Sequence, residues 1–476
     1  MGNTTEIQFA VNSYKASSGL LSSERLVNFF AEAAPPSSPF RGSISGTAGL
    51  KTWLNLNRFE PMYGSIILGD FLYFVCGLGF YQINKSKDYT LRGTLSGAPN
   101  RVIMDTNRTQ VTILTSNGDS YYFDSTDNTF AKIVDLDYEV ASSLTSLNGY
   151  TIFSKLESDQ FFISDLNDTT SYSALKRATA ESRSDNLVRV FAINNELWLF
   201  GGETVEVWSN TGNVKFPFER ILGVFIETGC AAKNSIVHNQ DGAFWLGSDF
   251  TIYQAVGYQA VRISTNPIDT EISKYSMVDD AFGMFYVQNG HRFYCLTFPD
   301  ANKSWCYDIT TQLWHERSSR NPTTLCDDRW LPNCLSFFAG LNLVGDKNSG
   351  IIYEVDPDTY TENGTPIIGE IITATIFNSY SRFSTSRLTL LMDTGVGVDG
   401  NGQGVNPQIM MQSSIDGAKT WSNELWVEIG EIGSYESEVS WTSLGEGRNL
   451  VTKFKISDPV KRSIVGAYVN QEIGSS

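Results

Sequence analysis

Apolar runs and short polar turns alternate through the middle of the chain. In SIILGDFLYFVCGLGFYQIN, residues 65–84, apolar runs flank a Gly-Asp turn, and a further apolar run follows a second glycine-containing turn. Short apolar runs bounded by turns of this kind are typical of antiparallel strands. The pattern therefore predicts a series of strand hairpins rather than helices.

The pattern occurs seven times. The first turn of each copy is marked by Asp70, Asn107, Gly149, Asn195, Asp241, Gly290 and Gly340. Consecutive markers lie 37 to 50 residues apart, Asp70 to Asn107 being the shortest interval and Gly290 to Gly340 the longest. Four-stranded propeller blades repeat at about 40 to 50 residues, and radial stacking covers both faces of each blade. The sequence thus predicts an all-β fold in which residues 61–365 form a β-propeller of seven blades, with six as the alternative.

Two segments lie outside the repeat. Residues 1–60 contain AEAAPPSSPFRGSISGTAGL, rich in Pro, Ser and Gly, and predict an extended N-terminal arm that adds one strand, RLVNFF, to the body. Residues 366–476 carry apolar runs such as RLTLLMDTG and LVTKFKISDP, spaced like the strands of a sandwich. We expect these residues to form a C-terminal β-sandwich domain.

The composition agrees with many short strands and restricts the mode of DNA contact. Aromatic residues make up 13% of the chain, charged residues 18%, and there are 40 glycines. The net charge of −17 argues against groove binding of DNA, which depends on Lys and Arg. An acidic wall is suited to DNA that slides past it, because like charge keeps the polymer from adhering.

Neither a signal peptide nor a membrane span is predicted. The N-terminus has no basic segment followed by an apolar one, and no stretch approaches 18 consecutive apolar residues. We therefore expect synthesis in a cytoplasm and no membrane insertion.

The cysteines show neither a CxxC pair nor the spacing of a zinc site. Most of them lie inside apolar, strand-like runs. We expect buried free thiols at these six positions, namely Cys76, Cys230, Cys295, Cys306, Cys326 and Cys334.

One short stretch, SSIDGAKTW at residues 413–421, comes close to the S-x-D-x-G-x-T-W box of sialidase-type propellers. The glycine, Gly417, stands one position early, and the single copy lies outside the repeat. In such boxes the aspartate locks a turn through backbone amides and has no catalytic role. We therefore expect Asp416 to stabilise a hairpin and Trp421 to anchor the core at the start of the following strand.

A second stretch, LLMDTGVGVD, contains an Asp-Thr-Gly after an apolar run, as an aspartic protease does at each of its two catalytic aspartates. The aspartate of this motif is Asp393. The chain has no second Asp-Thr-Gly or Asp-Ser-Gly to complete the pair of carboxylates that such chemistry needs. In the glycine-rich loop that follows, Asp399, Asn401 and Gln403 have the spacing of calcium ligands. The match fails because Met410 stands where an EF-hand requires glutamate.

No other residues have the pattern of a catalytic or metal site. His238, His291 and His315 are too far apart in sequence to ligate a metal from one strand. Glu203 and Glu206 are three apart, so on one strand they face opposite sides. There is no nucleophile elbow, phosphate loop or dinucleotide fingerprint. We therefore predict no catalytic, cofactor-binding or metal-binding residues and no cofactor.

Several stretches, taken in order, resemble the packaged-DNA stabilisation or tail hub (tail accessory factor) proteins of short-tailed bacteriophages. They are SSERLVNFFAEAAP, QFFISDLNDTTSY, ATAESRSDNLVRV, ELWLFGGETVEVWSNTG, GHRFYCLTFPDANKSWCYDITTQLWHERSS and ISDPVKRSIVGAYV. The family's Gly-Thr-Pro-Gly-Leu element is GTAGL here, with Ala48 in place of the proline.

The resemblance implies a structural virion protein without enzymatic activity. It implies a homohexameric tail hub or nozzle in the virion tail, assembled in the host cytoplasm, which makes the head-tail connection below the portal-adaptor ring. The implied partners are that adaptor ring, a tail needle, fibre or spike proteins, and genomic DNA that passes without sequence-specific binding. No partner-binding residue is carried over.

Two questions stay open at the level of sequence. Trp330 in CDDRWLPNC is either an exposed anchor for a partner or a loop tryptophan packed on its own blade. A propeller that binds or cleaves glycans is the alternative function. Carboxylates and arginines clustered at the central mouth of the propeller would favour it.

Overall fold

A computed structural model of the chain describes residues 3–7, 9, 12–180, 185–377 and 381–473. Within these ranges the regular secondary structure is almost entirely strand, and the one helix is Asn266–Ile272. Residues 181–184 of the ATAESRSDNLVRV stretch lie outside the described residues. The all-β prediction is confirmed.

Six sets of four consecutive antiparallel strands are numbered here as blades 1 to 6. Blades 1 to 5 are separate sheets, and blade 6 is continuous with one sheet of the C-terminal domain. Their bounds are Met62–Leu68, Phe71–Cys76, Gly79–Ile83 and Tyr89–Thr94 in blade 1; Ile103–Thr106, Gln110–Leu114, Ser120–Asp124 and Thr129–Lys132 in blade 2; Ala141–Leu147, Tyr150–Lys155, Gln160–Asp165 and Asp168–Thr179 in blade 3; Leu187–Ile193, Glu196–Gly201, Val205–Asn210 and Phe218–Ile226 in blade 4; Val237–Asn239, Gly242–Leu246, Ile252–Val256 and Gln259–Arg262 in blade 5; Phe282–Gln288, His291–Phe298, Lys303–Asp308 and Leu313–Glu316 in blade 6.

A further sheet, blade 7, closes the ring. It combines the consecutive strands Pro332–Phe338, Leu341–Asp346 and Ile351–Asp356 with Gly49–Asn55, which pairs antiparallel to the last of them. Blade 7 then meets blade 1, where the Asn333 side-chain amide donates to the Met62 carbonyl at 2.7 Å. The predicted propeller is confirmed. Six blades are made of four consecutive strands, and counting the sheet completed by the N-terminal segment gives seven.

Hairpin turns and aromatic packing explain why the repeats fold this way. At the first turn of blades 3 and 6, Asn148 and Gly149 (φ 52° and 85°) and Asn289 and Gly290 (φ 49° and 83°) hold the paired positive φ values of type I′ turns. Aromatic rings fill the space between neighbouring blades. Examples of such ring pairs are Phe80–Phe123, Phe161–Trp208 and Phe244–Tyr294, with centroids 5.7, 5.1 and 5.3 Å apart.

The C-terminal residues form the predicted β-sandwich. One sheet contains Phe383–Met392, Val439–Thr442, Glu446–Gly447 and Ser463–Ile473, joined by Asn3–Ile7, Phe29–Ala33 and Gly42–Gly46. The other contains Gly369–Ile372, Ile376–Phe377, Gln408–Ser414, Leu425–Glu428 and Asn449–Ile456, joined by Tyr14–Lys15 and Ser23–Val27. Their inner faces share one core, to which Leu26, Leu388, Ile409, Trp441 and Phe454 belong.

The N-terminal segment contributes more than the predicted arm with one strand. RLVNFF divides into the strands Ser23–Val27 and Phe29–Ala33, because Asn28 between them has a φ of 56°. Residues 14–55 supply strands to both sandwich sheets and to blade 7. The division of the chain at residues 60 and 365 stays a prediction. The remaining short strands are Ser318–Arg320 with Asp327–Arg329, and Thr361–Glu362 with Thr365–Pro366.

Candidate functional site

Residues on or just before the first strands of every blade except blade 3 line a cavity of about 310 Å³, here called the axial cavity. Its lining combines apolar side chains, among them Val102, Met284 and Leu335, with the polar or charged side chains of Arg101, Arg189 and Asn234. A DNA duplex, whose major groove alone is about 12 Å wide, does not fit into this volume.

Two arginines beside the axial cavity share one aromatic ring. The guanidinium of Arg101 lies 3.6 Å from the centroid of Phe282, and that of Arg329 lies 5.6 Å from it. Both also donate to the Oδ1 of Asn333, at 3.2 and 3.0 Å. Burial, the largest cause, lowers the pKa of each arginine to about 10, and Asp280 acts in the opposite direction on both.

A second pair of cations comes from blades 4 and 5. Arg189 lines the axial cavity, and its Nη1 donates to Asn234 Oδ1 over a long 3.5 Å, while its buried Nε has no hydrogen-bond partner. Lys233 donates to the Ser142 carbonyl at 3.3 Å. Burial lowers the pKa of Arg189 to about 10, and burial followed by repulsion from Arg189 lowers the pKa of Lys233.

The carboxylates near these cations are themselves held by hydrogen bonds. Asp105 accepts from the Ser146 amide at 2.7 Å and from the Thr145 hydroxyl at 3.1 Å. Burial raises its pKa despite these bonds and the attraction of Arg189. Asp280 accepts from the Asp300 amide at 2.7 Å, and burial raises its pKa as well. The second carboxylate oxygen of Asp280, Oδ1, is buried without a hydrogen-bond partner.

The sequence reasoning missed Arg101 and Arg189, although the repeat contains a signal that identifies them. Each lies six positions before the turn marker of its own repeat, Asn107 and Asn195. The same offset from three other markers gives Gly64, Met284 and Cys334, which also line the axial cavity. Aligning the repeats on their turns therefore identifies an axial position, and two of the repeats carry arginine there.

A continuous sheet joins the propeller to the sandwich. Val27 of the strand Ser23–Val27 pairs in parallel with Glu316 at the edge of blade 6, and the other side of that strand pairs with Gly369–Ile372. Arg25 donates from Nε and Nη2 to the Glu316 carboxylate at 2.6 and 2.7 Å and from Nη1 to Glu370 at 3.0 Å. Backbone pairing and a two-point ion pair thus act at the same junction.

Trp330 lies in the core next to this junction. It is fully buried, its Nε1 donates to Glu362 at 3.0 Å, and the guanidinium of Arg317 lies 4.0 Å from its ring centroid. Burial raises the pKa of Glu362, with Arg317 acting in the opposite direction. The interpretation of Trp330 as an exposed anchor is wrong, because its ring fills the core between blades 6 and 7.

The SSIDGAKTW box forms the predicted turn but not the predicted tryptophan anchor. Asp416 accepts from the Lys419 and Thr420 amides at 3.0 Å and from the Thr420 hydroxyl at 2.6 Å. These bonds hold its pKa well below the usual range. Trp421 is only half-buried under Lys453, whose Nζ lies 4.5 Å from the ring centroid, and it precedes the strand Leu425–Glu428.

The remaining acidic candidates are separate from one another. Asp393 pairs with Lys461 at 2.9 Å, and Asp399 is exposed. Glu206 is buried and accepts from the indole of Trp208 at 3.0 Å, whereas Glu203 is exposed in the preceding turn. Across the described ranges, no three His, Cys, Asp or Glu side chains gather as a metal site requires.

The three histidines also lie in different environments. His291 Nδ1 is 2.7 Å from Asp308 Oδ2, and this hydrogen bond raises the pKa of His291. His315 is buried, and burial lowers its pKa to about 3. Burial also lowers the pKa of His238, which is half-buried.

The expectation of six buried free thiols is wrong at three positions. Cys295 and Cys306 lie directly opposite each other on neighbouring strands of blade 6 and form a disulfide. Their separation of 11 residues follows from the hairpin register, which the spacing of cysteines alone does not indicate. Cys326 is exposed, while the other three are free and buried.

Several exposed apolar side chains lie on or beside the outer strands of blades 3 and 4. Leu175 and Leu222 are each 86% exposed, and Leu136 in the loop before blade 3 is fully exposed. The outer strands here are Asp168–Thr179 and Phe218–Ile226, twelve and nine residues long. Long outer strands with exposed apolar side chains are typical of surfaces that contact other proteins.

Comparison with known protein families gives two matches. Residues 63–360 match the family model described as bacteriophage P22 Gp10, beta-propeller. Residues 369–472 match the model described as bacteriophage P22 Gp10, beta-sandwich. Together the two matches cover more than four fifths of the chain. The boundary between them lies close to the change from propeller to sandwich in the structure.

Two further comparisons add little. No curated protein sequence matches the chain. Among solved structures, the computationally designed Ika8 protein aligns over 64% of this chain and 99% of its own, with 9% identity and a TM-score of 0.40, too low to carry an argument. In the part of the chain that the structure describes, no helix has the length and apolarity needed to cross a bilayer.

Proposed function

We propose, from the premise that this chain belongs to the family of packaged-DNA stabilisation proteins of short-tailed bacteriophages, that it acts as a tail hub or nozzle below the portal-adaptor ring. In this position it extends the DNA channel, helps to retain the packaged genome, and anchors a needle, fibres or spikes. The observation that carries the proposal is the ordered match of both structural units to one family of phage structural tail proteins.

The junction between the two units supports a mechanical role. A strand that pairs with both blade 6 and the sandwich makes the two units resist bending about their connection. The Arg25 ion pairs with Glu316 and Glu370 add directional contacts across the same junction. A protein that retains packaged DNA benefits from such coupling, because load on one unit passes to the other through paired backbone.

The path of DNA supports a ring of several copies. The axial cavity of one chain is too small for a duplex, so a DNA channel requires the space between subunits. We propose a homohexamer, with the number six taken from the family resemblance. The charge of −17 per chain favours sliding over adhesion along such a wall.

The exposed apolar side chains on and beside the outer strands of blades 3 and 4 support protein docking. Leu136, Leu175 and Leu222 lie where neighbouring subunits or other tail proteins could cover them. The adaptor ring and the needle, fibre or spike proteins are proposed partners in the virion tail, and assembly is proposed in the host cytoplasm.

A glycan-binding or glycan-cleaving propeller is the second candidate, because Arg101 and Arg189 line the axial cavity and interact with Asp280 and Asp105 respectively. Asp105 accepts from a backbone amide and a hydroxyl, which favours a structural role for it. Asp280 accepts from one backbone amide. We therefore propose a role without catalysis. Turnover of an oligosaccharide by the purified chain, lost on changing Asp105→Asn, would instead establish the enzyme.

Electron microscopy of a reconstituted complex tests the proposed position. Purified portal-adaptor complex is imaged alone and after incubation with an excess of this chain. We expect an added ring below the adaptor with a central opening wide enough for a duplex. If the complex stays unchanged at saturating concentrations of the chain, the hub role is overturned.

A further inference from the structure

One edge of the C-terminal sandwich carries exposed apolar and acidic side chains side by side along the chain. This segment, residues 422–438, is here called the sandwich edge, and it comprises the strand Leu425–Glu428 and the loop that follows it. We propose that the sandwich edge docks onto a basic surface of another structural protein of the same virion, whose lysine and arginine side chains contact its aromatic rings and carboxylates. The proposal rests on the proposed place of the chain in the virion tail and concerns a surface distinct from blades 3 and 4.

Four large apolar side chains of the sandwich edge are exposed. They are Leu425, Trp426, Ile432 and Tyr435, with exposed fractions of 40, 52, 57 and 74%. Exposed apolar side chains that are grouped and flanked by polar ones are typical of surfaces that contact proteins. Tryptophan and tyrosine are also enriched among the residues that contribute most to binding. The composition of the sandwich edge is therefore that of an interface.

The register of the strand explains why Trp426 points outward. Val427 packs against the sandwich core, and neighbouring residues of a strand face opposite sides of the sheet. Met410 lies directly opposite Trp426 on the adjacent strand and is buried. In the described chain, Leu425–Glu428 is the last strand of its sheet. The ring of Trp426 therefore lies on the outer face of the sheet at an open edge, where a partner can reach it.

Hydrogen bonds to the neighbouring loop fix the backbone beside Tyr435. The Gly433 amide donates to the Gly395 carbonyl at 3.3 Å. The Thr394 hydroxyl donates to the Tyr435 carbonyl at 2.7 Å. The exposed ring of Tyr435 is thus carried on an ordered backbone, which lowers the entropy cost of binding.

The sandwich edge is strongly acidic. Its 17 residues contain five glutamates and neither Lys nor Arg, a net charge of −5, compared with −17 for all 476 residues. Arg387 pairs with Glu438, and Glu424 attracts Lys453. In the part of the chain that the structure describes, no cation forms an ion pair with the other three. These three exposed glutamates are Glu428, Glu431 and Glu436.

The charge determines which kind of partner this surface fits. A lysine or arginine gains from both features, because it stacks on the face of tryptophan or tyrosine and pairs with carboxylates. Nucleic acid is repelled by the same charge. A second copy of the chain also carries −17, and exposed lysines such as Lys461 already pair with its own carboxylates, here Asp393 at 2.9 Å. The partner is therefore a different protein with a basic surface.

Cross-linking of isolated phage particles with a carbodiimide tests the proposal. The reagent joins a carboxylate directly to an amine where the two are in contact, and mass spectrometry identifies the residues joined. We expect cross-links from Glu428, Glu431 or Glu436 to lysines of another structural protein. Trp426→Ser should lower their yield at least about tenfold. The matched control is Phe59→Ser, which removes an aromatic ring that is 98% exposed before blade 1 and should leave the yield unchanged.

Titration of the full chain with the protein so identified measures the same contact in solution. The Kd should rise at least about tenfold in Trp426→Ser. It should also rise for the wild type between about 0.15 M and about 1 M salt, because the Debye length falls from about 8 to about 3 Å. This salt comparison needs no variant, so it holds if a variant fails to fold. A Kd unchanged by both would overturn the proposal.

The cross-links also separate this proposal from the tail role. Cross-links from the three glutamates only to a second copy of the chain, or equal yields in Trp426→Ser and Phe59→Ser, would overturn the docking proposal alone. Particles that contain the chain but give no cross-link from the sandwich edge would do the same. Particles that lack the chain altogether would overturn the tail role and this proposal with it.

Discussion

The carboxylate of Glu316 accepts two hydrogen bonds from Arg25, from Nε at 2.6 Å and from Nη2 at 2.7 Å. Glu316 ends the outer strand of blade 6, and Arg25 lies on a strand of the sandwich. Two parallel bonds of this kind fix orientation as well as distance. The pair therefore sets the angle at which the propeller meets the sandwich.

Removing this pair should loosen the junction. We expect Arg25→Ala to lower the free energy of unfolding by about 2 kcal/mol. This value lies between those of exposed and buried ion pairs, because the side chain of Arg25 is 32% exposed and that of Glu316 is 12% exposed. Calorimetry should also separate the transitions of the two units. Lys274→Ala, which removes an exposed ion pair with Glu271, is the control and should change little. A single unshifted transition for Arg25→Ala would contradict this account.

Asn28 is expected to be the most sensitive residue of the N-terminal segment. It has a φ of 56°, donates to the Ile368 carbonyl at 2.8 Å and accepts from the Ser318 amide at 3.0 Å. Asn28→Ala leaves both groups buried without partners and should cost about 3 kcal/mol. Urea unfolding measures the loss.

The control for this change separates backbone strain from lost bonds. Asn148 has a similar φ of 52° but lies exposed in a hairpin turn. Asn148→Ala should therefore lower the free energy of unfolding only by the cost of holding alanine in a left-handed backbone conformation, about 1 kcal/mol. Equal losses for Asn28→Ala and Asn148→Ala would show that the buried bonds of Asn28 contribute nothing.

Local sequence signals predicted the repeated hairpins, whereas strand partners that are distant in the sequence could not be predicted. The Asn148-Gly149 turn and the alternation around it define a hairpin within a dozen residues, so blades could be recognised from sequence. Gly49–Asn55 pairs with Ile351–Asp356 some 300 residues away, and no local pattern encodes that partner. For the same reason, sequence reasoning recognised the repeat but did not bring Arg101 and Arg189 to one cavity.

Asp416 should stabilise its turn without affecting any other function of the chain. Asp416→Ala removes five acceptor contacts, so hydrogen exchange of the Lys419 and Thr420 amides should accelerate. Since the folded pKa of Asp416 is lowered, its stabilising effect is present above about pH 3.8 and is lost as pH falls through the folded value. Asp399→Ala, an exposed carboxylate in the neighbouring loop, is the control. Unchanged exchange in Asp416→Ala would contradict the turn-locking role.

His315 should make the protein sensitive to acid. Its ring is buried 5.3 Å from the centroid of Phe293, and burial, followed by the charge of Arg317, lowers its pKa to about 3. Its unfolded value is about 6.5. The folded state is therefore favoured fully above pH 6.5 and loses stability as pH falls from 6.5 towards 3, by at most about 4 kcal/mol. His315→Phe fills similar volume and should flatten this part of the stability curve, measured by urea unfolding from pH 7 to pH 4.

His291 provides a control of opposite sign for this pH dependence. Its hydrogen bond with Asp308 raises the pKa of His291 and contributes to a lowered pKa of Asp308. The stabilisation that this pair gives is present below pH 6.5 and declines as pH rises through the folded pKa of His291. At the acid end it is lost only below about pH 3.8, where Asp308 becomes protonated. His291→Phe should therefore lose stability at pH 5 relative to pH 8, whereas His315→Phe should gain it. If both variants follow the wild-type curve in parallel, neither histidine controls the acid response.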